Sequence, residues 1–256
     1  MVQTYVLSLK SSRDRRLAVQ SQFDRYGLPF QFFDALGDAA ADATLLHNHY
    51  DSEMNRKHFK RPMSSPEGYC YLGHRAIWQH LADSDEDVAM VLEDDFRFVA
   101  DPRPMLAASA SKNLRGVMIK LDGGSEIEGT TIGKMGKAAL VQRKVLTART
   151  TGYLIGRDAA KSLLASSERF YRPIDLDLKH FWEHGVPIFL LKPAVVCERD
   201  DCASLLSTDR KTLKPASQFL RFLKNLKYQL AFRYGLLRNS CNEAQSPFLS
   251  KNGKTG

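Results

Sequence analysis

The chain has 256 residues, 43% apolar and 26% charged, with 16 Gly and 10 Pro, a composition that excludes wholesale disorder, collagen and coiled coil. At ~150 residues per domain this length predicts one large domain, or one with an appendage. Of the net charge of +8, residues 210–238 contribute +8 without a single acid and residues 239–256 contribute +1, which leaves −1 on residues 1–209. A near-neutral body disfavours a nucleic-acid-binding protein, and no nucleic-acid partner is expected.

No apolar run approaches the ~20 residues of a bilayer span. The opening Met1–Tyr5 lacks a basic segment followed by a long apolar stretch, so a cytoplasmic location is expected. The four cysteines, Cys70, Cys197, Cys202 and Cys241, form no C-x-x-C pair and match no zinc pattern, and they are expected as reduced thiols.

The apolar run Tyr5–Leu9 predicts a strand, broken by Lys10-Ser11-Ser12-Arg13-Asp14. Leu17, Phe23 and Tyr26 predict a helix ending at Gly27, and Phe30–Phe33 returns to strand character. Residues 37–66 are poorly patterned and read as irregular, with His47, His49 and His58 as solvated loop histidines. Leu72, Ile77, Trp78 and Leu81 recur at helical spacing and predict a helix from Glu67 to Leu81. His74, near its start, reads either as a hydrogen-bonded packing residue or as a site residue.

Val88–Leu92 is a short continuous apolar run, the pattern of a strand buried on both faces, and it ends abruptly in Glu93-Asp94-Asp95. Val117–Leu121, ending at Asp122-Gly123-Gly124, is a further strand. Thr151–Ile155 is another, followed by a helix from Arg157 to about Ser166. A helix is expected from Asp175 to His184 after Pro173, with His180 on its surface, and a strand over Val186–Leu191. Strands alternating with helices predict an α/β fold with a mostly parallel central sheet, whose ligands bind beyond the C-terminal ends of the strands.

Three acids at the end of a buried strand repel one another unless a cation compensates, and hard oxygen ligands suit Mn²⁺ or Mg²⁺. If strand geometry persists, Glu93 and Asp95 share one face and Asp94 points to the other. Solvated loop acids are the alternative. Acids at a strand end would also serve a metal-dependent phosphoester hydrolase, although no second cluster has dinuclear spacing.

VLEDD after a buried strand, preceded by EGYCYLGHRAIW, resembles glycosyltransferase family 25, the bacterial lipopolysaccharide and lipooligosaccharide sugar transferases. The opening YVLSLKSSRDRR, the segment QFFDAL, RTTGYLIGRDAAKSLL, and RPIDLDL followed by VPIFLLKPAVV resemble further segments of that family in its own order, from about residue 3 to residue 196. Departures are Tyr69 for a usual Gly, Gly73 for Ser, Gly152 for Ala and Gly156 for Ser.

The resemblance implies a GT-A-like nucleotide-sugar-binding sandwich and an inverting hexosyltransferase. It moves a hexose, galactose first, from a UDP-sugar to a glycolipid or oligosaccharide acceptor. It implies Asp95 as metal ligand with Asp94 in support, and Glu93 on the ribose side. Asp175 is implied as general base, with Asp177 as alternative, and plain N-capping is the other reading of Asp175. Leu9, Arg13, Arg16 and His74 would complete the nucleotide contacts.

The catalytic domain is expected over residues 1–209. Residues 216–238 predict a basic amphipathic helix, with Phe219, Phe222, Leu223, Leu226, Leu230 and Leu237 on one side and Arg221, Lys224, Asn225 and Tyr228 opposite. It can either dock its apolar face on the body or bind an anionic membrane surface, placing the enzyme peripherally on the inner membrane. A lipid- or nucleic-acid-binding module built on residues 210–238 is a third reading of the chain. Residues 239–256 are expected to be a disordered tail.

Overall fold

The computed structural model describes residues 2–37, 40–123, 128–199 and 218–239. In chain order these form β1 (Gln3–Ser8), α1 (Arg13–Tyr26), β2 (Gln31–Asp34), α2 (Ala40–His49), α3 (Ser52–His58), α4 (Ser65–Asp83), β3 (Val88–Glu93), β4 (Phe96–Phe98) and α5 (Arg103–Ala110). There follow β5 (Met118–Lys120), β6 (Thr130–Met135), β7 (Ala138–Gln142), β8 (Gly152–Gly156), α6 (Arg157–Ser166), α7 (Ile174–Asp177), α8 (Phe181–His184), β9 (Ile188–Lys192), β10 (Val196–Glu198) and α9 (Gln218–Arg238). The expected tail over residues 239–256 lies outside the described residues apart from Asn239, as do Cys202 and Cys241.

Eight strands make one sheet in the order β2-β1-β3-β8-β5-β9-β7-β6, and β4 pairs with β10 in a small second ladder. β1 runs parallel to β2 and β3, and β5 runs parallel to β9. β8 is antiparallel to both β3 and β5, and β7 is antiparallel to β6 and β9. The sheet is therefore mixed, where the sequence pattern predicted a mostly parallel one. A continuous apolar run reports burial on both faces but carries no strand direction, so β8 between β3 and β5 reads the same either way.

Side-chain alternation assigns the two faces. Tyr5, Leu7, Ala89, Val91, Tyr153 and Ile155 pack with Leu72, Ile77, Trp78 and Leu81 of α4 and Leu163 of α6. Val6, Met90, Leu92 and Leu154 point the other way, onto Val19 and Phe23 of α1 and Met105 of α5. A period of two along each strand thus separates two apolar clusters, with helices over both faces. The α4 N-terminus is held by Ser64, whose backbone N–H donates to Glu67 Oε2 at 3.0 Å, the returning half of a capping box. The same Glu67 receives Arg61 through two hydrogen bonds.

Two regions differ from the expectation. Residues 37–66 contain α2 and α3, so His47 and His49 lie in the last turn of a helix, not in a loop. The helix expected from Asp175 to His184 is two short turns, α7 and α8, interrupted at Lys179 and His180. His180 is buried and not on the surface: its ring turns inward under α9, and Nδ1 lies 2.8 Å from the Leu176 carbonyl. Burial pushes its pKa down to about 3, so it remains neutral.

Gly156 ends β8 where the chain turns into α6, and a Cβ there would lie 2.0 Å from the Leu114 carbonyl oxygen and 2.3 Å from that of Arg115. Backbone cannot yield as a side chain can, so glycine stands where a serine would collide. Gly156→Ser should destabilise the fold by about 1–3 kcal/mol, the range for overpacking a tight site. Thermal unfolding checks this, and a variant as stable as the parent would contradict the close approach.

Candidate active site

The register of the sheet gathers the acids at one edge. Leu7 pairs with Glu93 and Leu92 pairs with Gly152, so the ends of β1 and β3 and the start of β8 lie side by side. Lys120 pairs with Tyr153, which brings the end of β5 to the same edge.

At β1, Ser8 Oγ donates to Asp94 Oδ2 at 2.7 Å and Arg15 Nη1 donates to Asp94 Oδ1 at 2.9 Å. Asp94 thus ties the turn after β3 to the start of α1, with both carboxylate oxygens engaged. Arg16 is also committed to the protein. It donates to the Ser8 carbonyl at 2.9 Å and to Asp34 at 2.6 Å, and its guanidinium lies 4.6 Å from the Phe32 ring centre. Leu9 offers its backbone carbonyl to Arg16 Nε at 3.2 Å. Arg13, the first residue of α1, is exposed at this end.

Glu93 is held by a chain of hydrogen bonds reaching through the core. Trp78 Nε1 donates to the Tyr153 hydroxyl at 3.0 Å, and that hydroxyl lies 2.7 Å from His74 Nδ1. An indole N–H can only donate, so the Tyr153 proton is free to go to His74 Nδ1. His74 Nε2–H is then left to donate to Glu93 Oε1, 3.2 Å away. Thr150 Oγ1 also donates to Glu93 Oε1, and the Cys70 thiol approaches it at 4.0 Å. Burial pushes the Glu93 carboxyl up, but the hydrogen bonds from His74 and Thr150 and the Lys120 charge bring it below its ordinary value. His74 is therefore both a packing residue and a site residue: it is wholly buried, and its ring fixes an acid at the edge.

The other acids are less well compensated. Burial, Glu93 and Asp94 push Asp95 up to about 7, and its Oδ1 is buried without a hydrogen-bond partner among the described residues. Asp122, just after β5, is buried with neither carboxylate oxygen hydrogen-bonded among the described residues. Burial raises its pKa, opposed by Lys120, whose Nζ lies 3.8 Å from Oδ1. Lys120 is itself lowered by burial and donates to the Thr147 carbonyl at 3.1 Å and to that of Arg149, a residue held at φ +135°. Asp175, in the first turn of α7, is raised by burial and by the charges of Glu93 and Glu67.

Asp177 is placed differently. It accepts from Tyr71 Oη and from Arg172 Nε, each at 2.5 Å, and Arg172 also binds Glu183. Arg172 is 4% exposed, so Asp177 compensates a buried charge. Asp175 and Asp177 are thus separated by their partners: the first is a raised carboxyl among acids, the second half of an ion pair.

Two donor sets bear on a cation. Cys70, His74 and Glu93 offer atoms within 4.8 Å of one another. Their hydrogen bonds already join them, and burial and the Glu93 charge push the Cys70 thiol well up, so they form a closed cluster. Asp95 Oδ1 is the opposite case: a hard oxygen, buried and partnerless among the described residues, suited to Mg²⁺ or Mn²⁺.

Sequence reasoning placed Glu93, Asp94, Asp95 and His74 at this edge. It missed Thr150, Tyr153, Trp78, Lys120 and Asp122 as site residues. A lysine within the apolar run Val117–Leu121 is the signal that could have found the last pair, since an ion in a buried strand needs a partner.

Buried acids gathered at the strand ends of an α/β sheet lie where such folds commonly bind ligands. The sequence profile described as "Glycosyltransferase family 25 (LPS biosynthesis protein)" matches residues 1–178, and the chain belongs to this family and is a glycosyltransferase. It is 25% identical over 228 residues to the lacto-N-neotetraose biosynthesis glycosyltransferase LgtE of Neisseria meningitidis, covering 80% of this chain and 77% of that protein. LgtB of the same organism is 26% identical over 77% of this chain and 75% of its own length. The lipooligosaccharide biosynthesis protein lic2B of Haemophilus influenzae is 30% identical over 91 residues, covering 36% of this chain and 32% of that protein. A solved glycosyltransferase involved in the glycosylation of the major capsid of PBCV-1 aligns over 83% of this chain and 99% of its own, with a TM-score of 0.41 and 10% identity, too low to support any conclusion.

The raised Asp95 carboxyl makes a stability prediction with a definite sign. Folded Asp95 keeps its proton up to a pH of about 7. An unfolded aspartate loses it near pH ~3.9, so the folded state is progressively disfavoured as pH rises between those values. In chelator, Asp95→Asn should be more stable than the parent by about 1–3 kcal/mol at pH 8, and the gain should vanish near pH 4. Denaturant melts at the two pH values measure it, and a variant less stable than the parent at pH 8 would contradict the repulsion.

Proposed function

We propose that this glycosyltransferase moves a hexose, galactose in the first instance, from a UDP-sugar to a lipooligosaccharide or lipopolysaccharide acceptor, with inversion at the anomeric carbon and a Mn²⁺ or Mg²⁺ requirement. The observation that carries the reading is the division of labour among the edge acids. Among the described residues Asp95 has an unsatisfied buried oxygen, while Asp175 is a raised carboxyl among acids, opposed by the charge of Lys120. The names of LgtE, LgtB and lic2B, all sugar-chain biosynthesis proteins, support the substrate class. In this reading the mixed sheet is a GT-A-like nucleotide-sugar-binding layer.

Asp95 would hold the cation, whose bound charge supplies neutralisation of the departing diphosphate. Asp94, fastened by Ser8 and Arg15, would set the turn that aims Asp95, and Arg13, exposed at the start of α1, would meet phosphate oxygens. Glu93, kept ionised by His74 and Thr150, would accept from sugar or ribose hydroxyls. Asp175 would take the acceptor hydroxyl proton as that oxygen bonds the anomeric carbon from the face opposite the diphosphate, whose bond breaks with the electron pair leaving on phosphate. Burial that raises the Asp175 pKa makes it a better base near neutral pH.

Two variants test the roles. Asp95→Asn should abolish the part of UDP binding that depends on Mn²⁺, read as the loss of the extra thermal stabilisation that the ion gives with UDP. Equal Mn²⁺-dependent stabilisation in variant and parent would overturn the ligand assignment. A shift with Mn²⁺ and inorganic phosphate but none with UDP would favour the hydrolase.

Asp175→Asn should lower turnover by roughly 10²-fold or more with donor affinity nearly unchanged, as expected for a lost general base. Asp177→Asn should instead cost stability, about 1–3 kcal/mol, because it weakens the partner of buried Arg172. If Asp177→Asn loses turnover at full stability and Asp175→Asn does not, the base is Asp177.

A further inference from the structure

The C-terminal helix α9 docks on the body, and it docks by the face opposite the one its apolar residues mark. Tyr228 is buried, its ring 5.4 Å from Phe59 and 5.8 Å from His180. Phe232 lies against His180 and Trp182, at 5.0 and 5.5 Å between ring centres. At Gly235 a Cβ would meet Trp182 at 2.4 Å, so the missing side chain lets the helix approach. Lys227 Nζ donates to the Lys57 carbonyl at 3.2 Å.

With that face inward, the apolar stripe faces out. Phe222 is 61% exposed, Leu230 57% and Leu237 78%, and Leu223, Leu226 and Tyr234 are exposed with them. Lys224, Arg233 and Arg238 are exposed on the same helix, and its 21 residues include no acid. A run of outward leucines and a phenylalanine is costly in water unless something apolar covers it. Arg233 on the stripe and exposed cations at its flanks, on a helix without an acid, select a cover that is apolar inside and anionic at its rim.

We propose that the outward face of α9 is a docking surface for an anionic lipid bilayer, lying in the interface with its leucines and Phe222 buried among acyl chains and its lysines and arginines at the headgroups. The helix does not cross: among the described residues no helix is long and apolar enough to span a membrane. The inward face also matters. Tyr228 packs 5.8 Å from the His180 ring, and the Phe232 ring centre lies 5.5 Å from Lys179 Nζ; His180 and Lys179 both belong to the turn that follows α7. α9 therefore lies beside the α7 turn, and a bilayer held by its outer face would present a lipid-linked acceptor on the Asp175 side. That last step rests on the proposed function, whereas lipid docking itself does not.

The test uses the intact chain and sedimentation with vesicles, either phosphatidylethanolamine with phosphatidylglycerol or phosphatidylcholine alone. The expected result is binding to the anionic vesicles only, weakened by added salt. Leu226→Gln combined with Leu230→Gln and Leu237→Gln should lower that binding by tenfold or more while the melting temperature stays nearly unchanged, because these side chains are exposed. Lys224→Gln with Arg238→Gln should lower it by about thirtyfold, at ~1 kcal/mol for each basic residue near the surface. Equal binding by the leucine variant, or salt-independent binding to both vesicles, would overturn the proposal. So would a parent that ignores vesicles and is a dimer that the leucine variant makes monomeric, since the face would then cover a second copy. Lipid binding with no UDP stabilisation would leave the docking surface intact and overturn the proposed UDP-sugar donor instead.

Discussion

Mutual repulsion among Glu93, Asp95, Asp122 and Asp175 is the constraint on which the site depends. The parallel run β2-β1-β3 and the insertion of β8 beside β3 bring strand ends to one edge, and the chain loads that edge with carboxylates. Of these four, Glu93 alone is brought below its ordinary pKa, by hydrogen bonds to Oε1 that begin at Trp78 in the core. Lys120 is the buried cation nearest Asp122, and it spends two hydrogen bonds on backbone carbonyls. Burial raises Asp95, Asp122 and Asp175 together, so the ionised edge is stable only with further positive charge or with donors from a ligand. In the proposed function a nucleotide sugar with its cation would bring both.

The same constraint separates residues that look alike in the sequence. Glu93, Asp94 and Asp95 are three consecutive acids, yet one is fixed by a histidine, one by a serine and an arginine, and one is left with a bare oxygen. Asp175 and Asp177 are two residues apart, yet only Asp177 is drawn into the Arg172 pair. Some of the partners are near in sequence, His74 19 positions from Glu93 and Arg172 five from Asp177. Others lie far away, 79 positions for Arg15 and Asp94 and 106 for Tyr71 and Asp177, and local pattern cannot contain those.

What was legible in the sequence had strong local causes. The α1 helix ends at Gly27 in a left-handed conformation, α6 spans the expected Arg157–Ser166, and the buried run before the acids is β3. β6 and β7 were not anticipated, because Thr130–Met135 is largely exposed and shows little alternation of apolar side chains. The direction of β8 was unreadable, since a strand buried on both faces has the same composition parallel or antiparallel. α9 was legible as a helix with an apolar stripe, but a helical wheel does not say which side faces the body. Tyr228, Phe232 and Gly235 form a second, aromatic face with a notch for Trp182, and that face docks. The family's usual serine is replaced at Gly156 for a reason visible only once Leu114 and Arg115 are in place.

The central claim is that this acidic edge works as a cation-dependent sugar-transfer site. It is tested most directly by following hexose transfer from a UDP-sugar to an oligosaccharide acceptor with purified chain, before and after exhaustive chelation and again after Mn²⁺ is restored. The account predicts transfer that disappears with the chelator, returns with the ion, and yields a product of inverted anomeric configuration. Transfer that continues undiminished in chelator would contradict it.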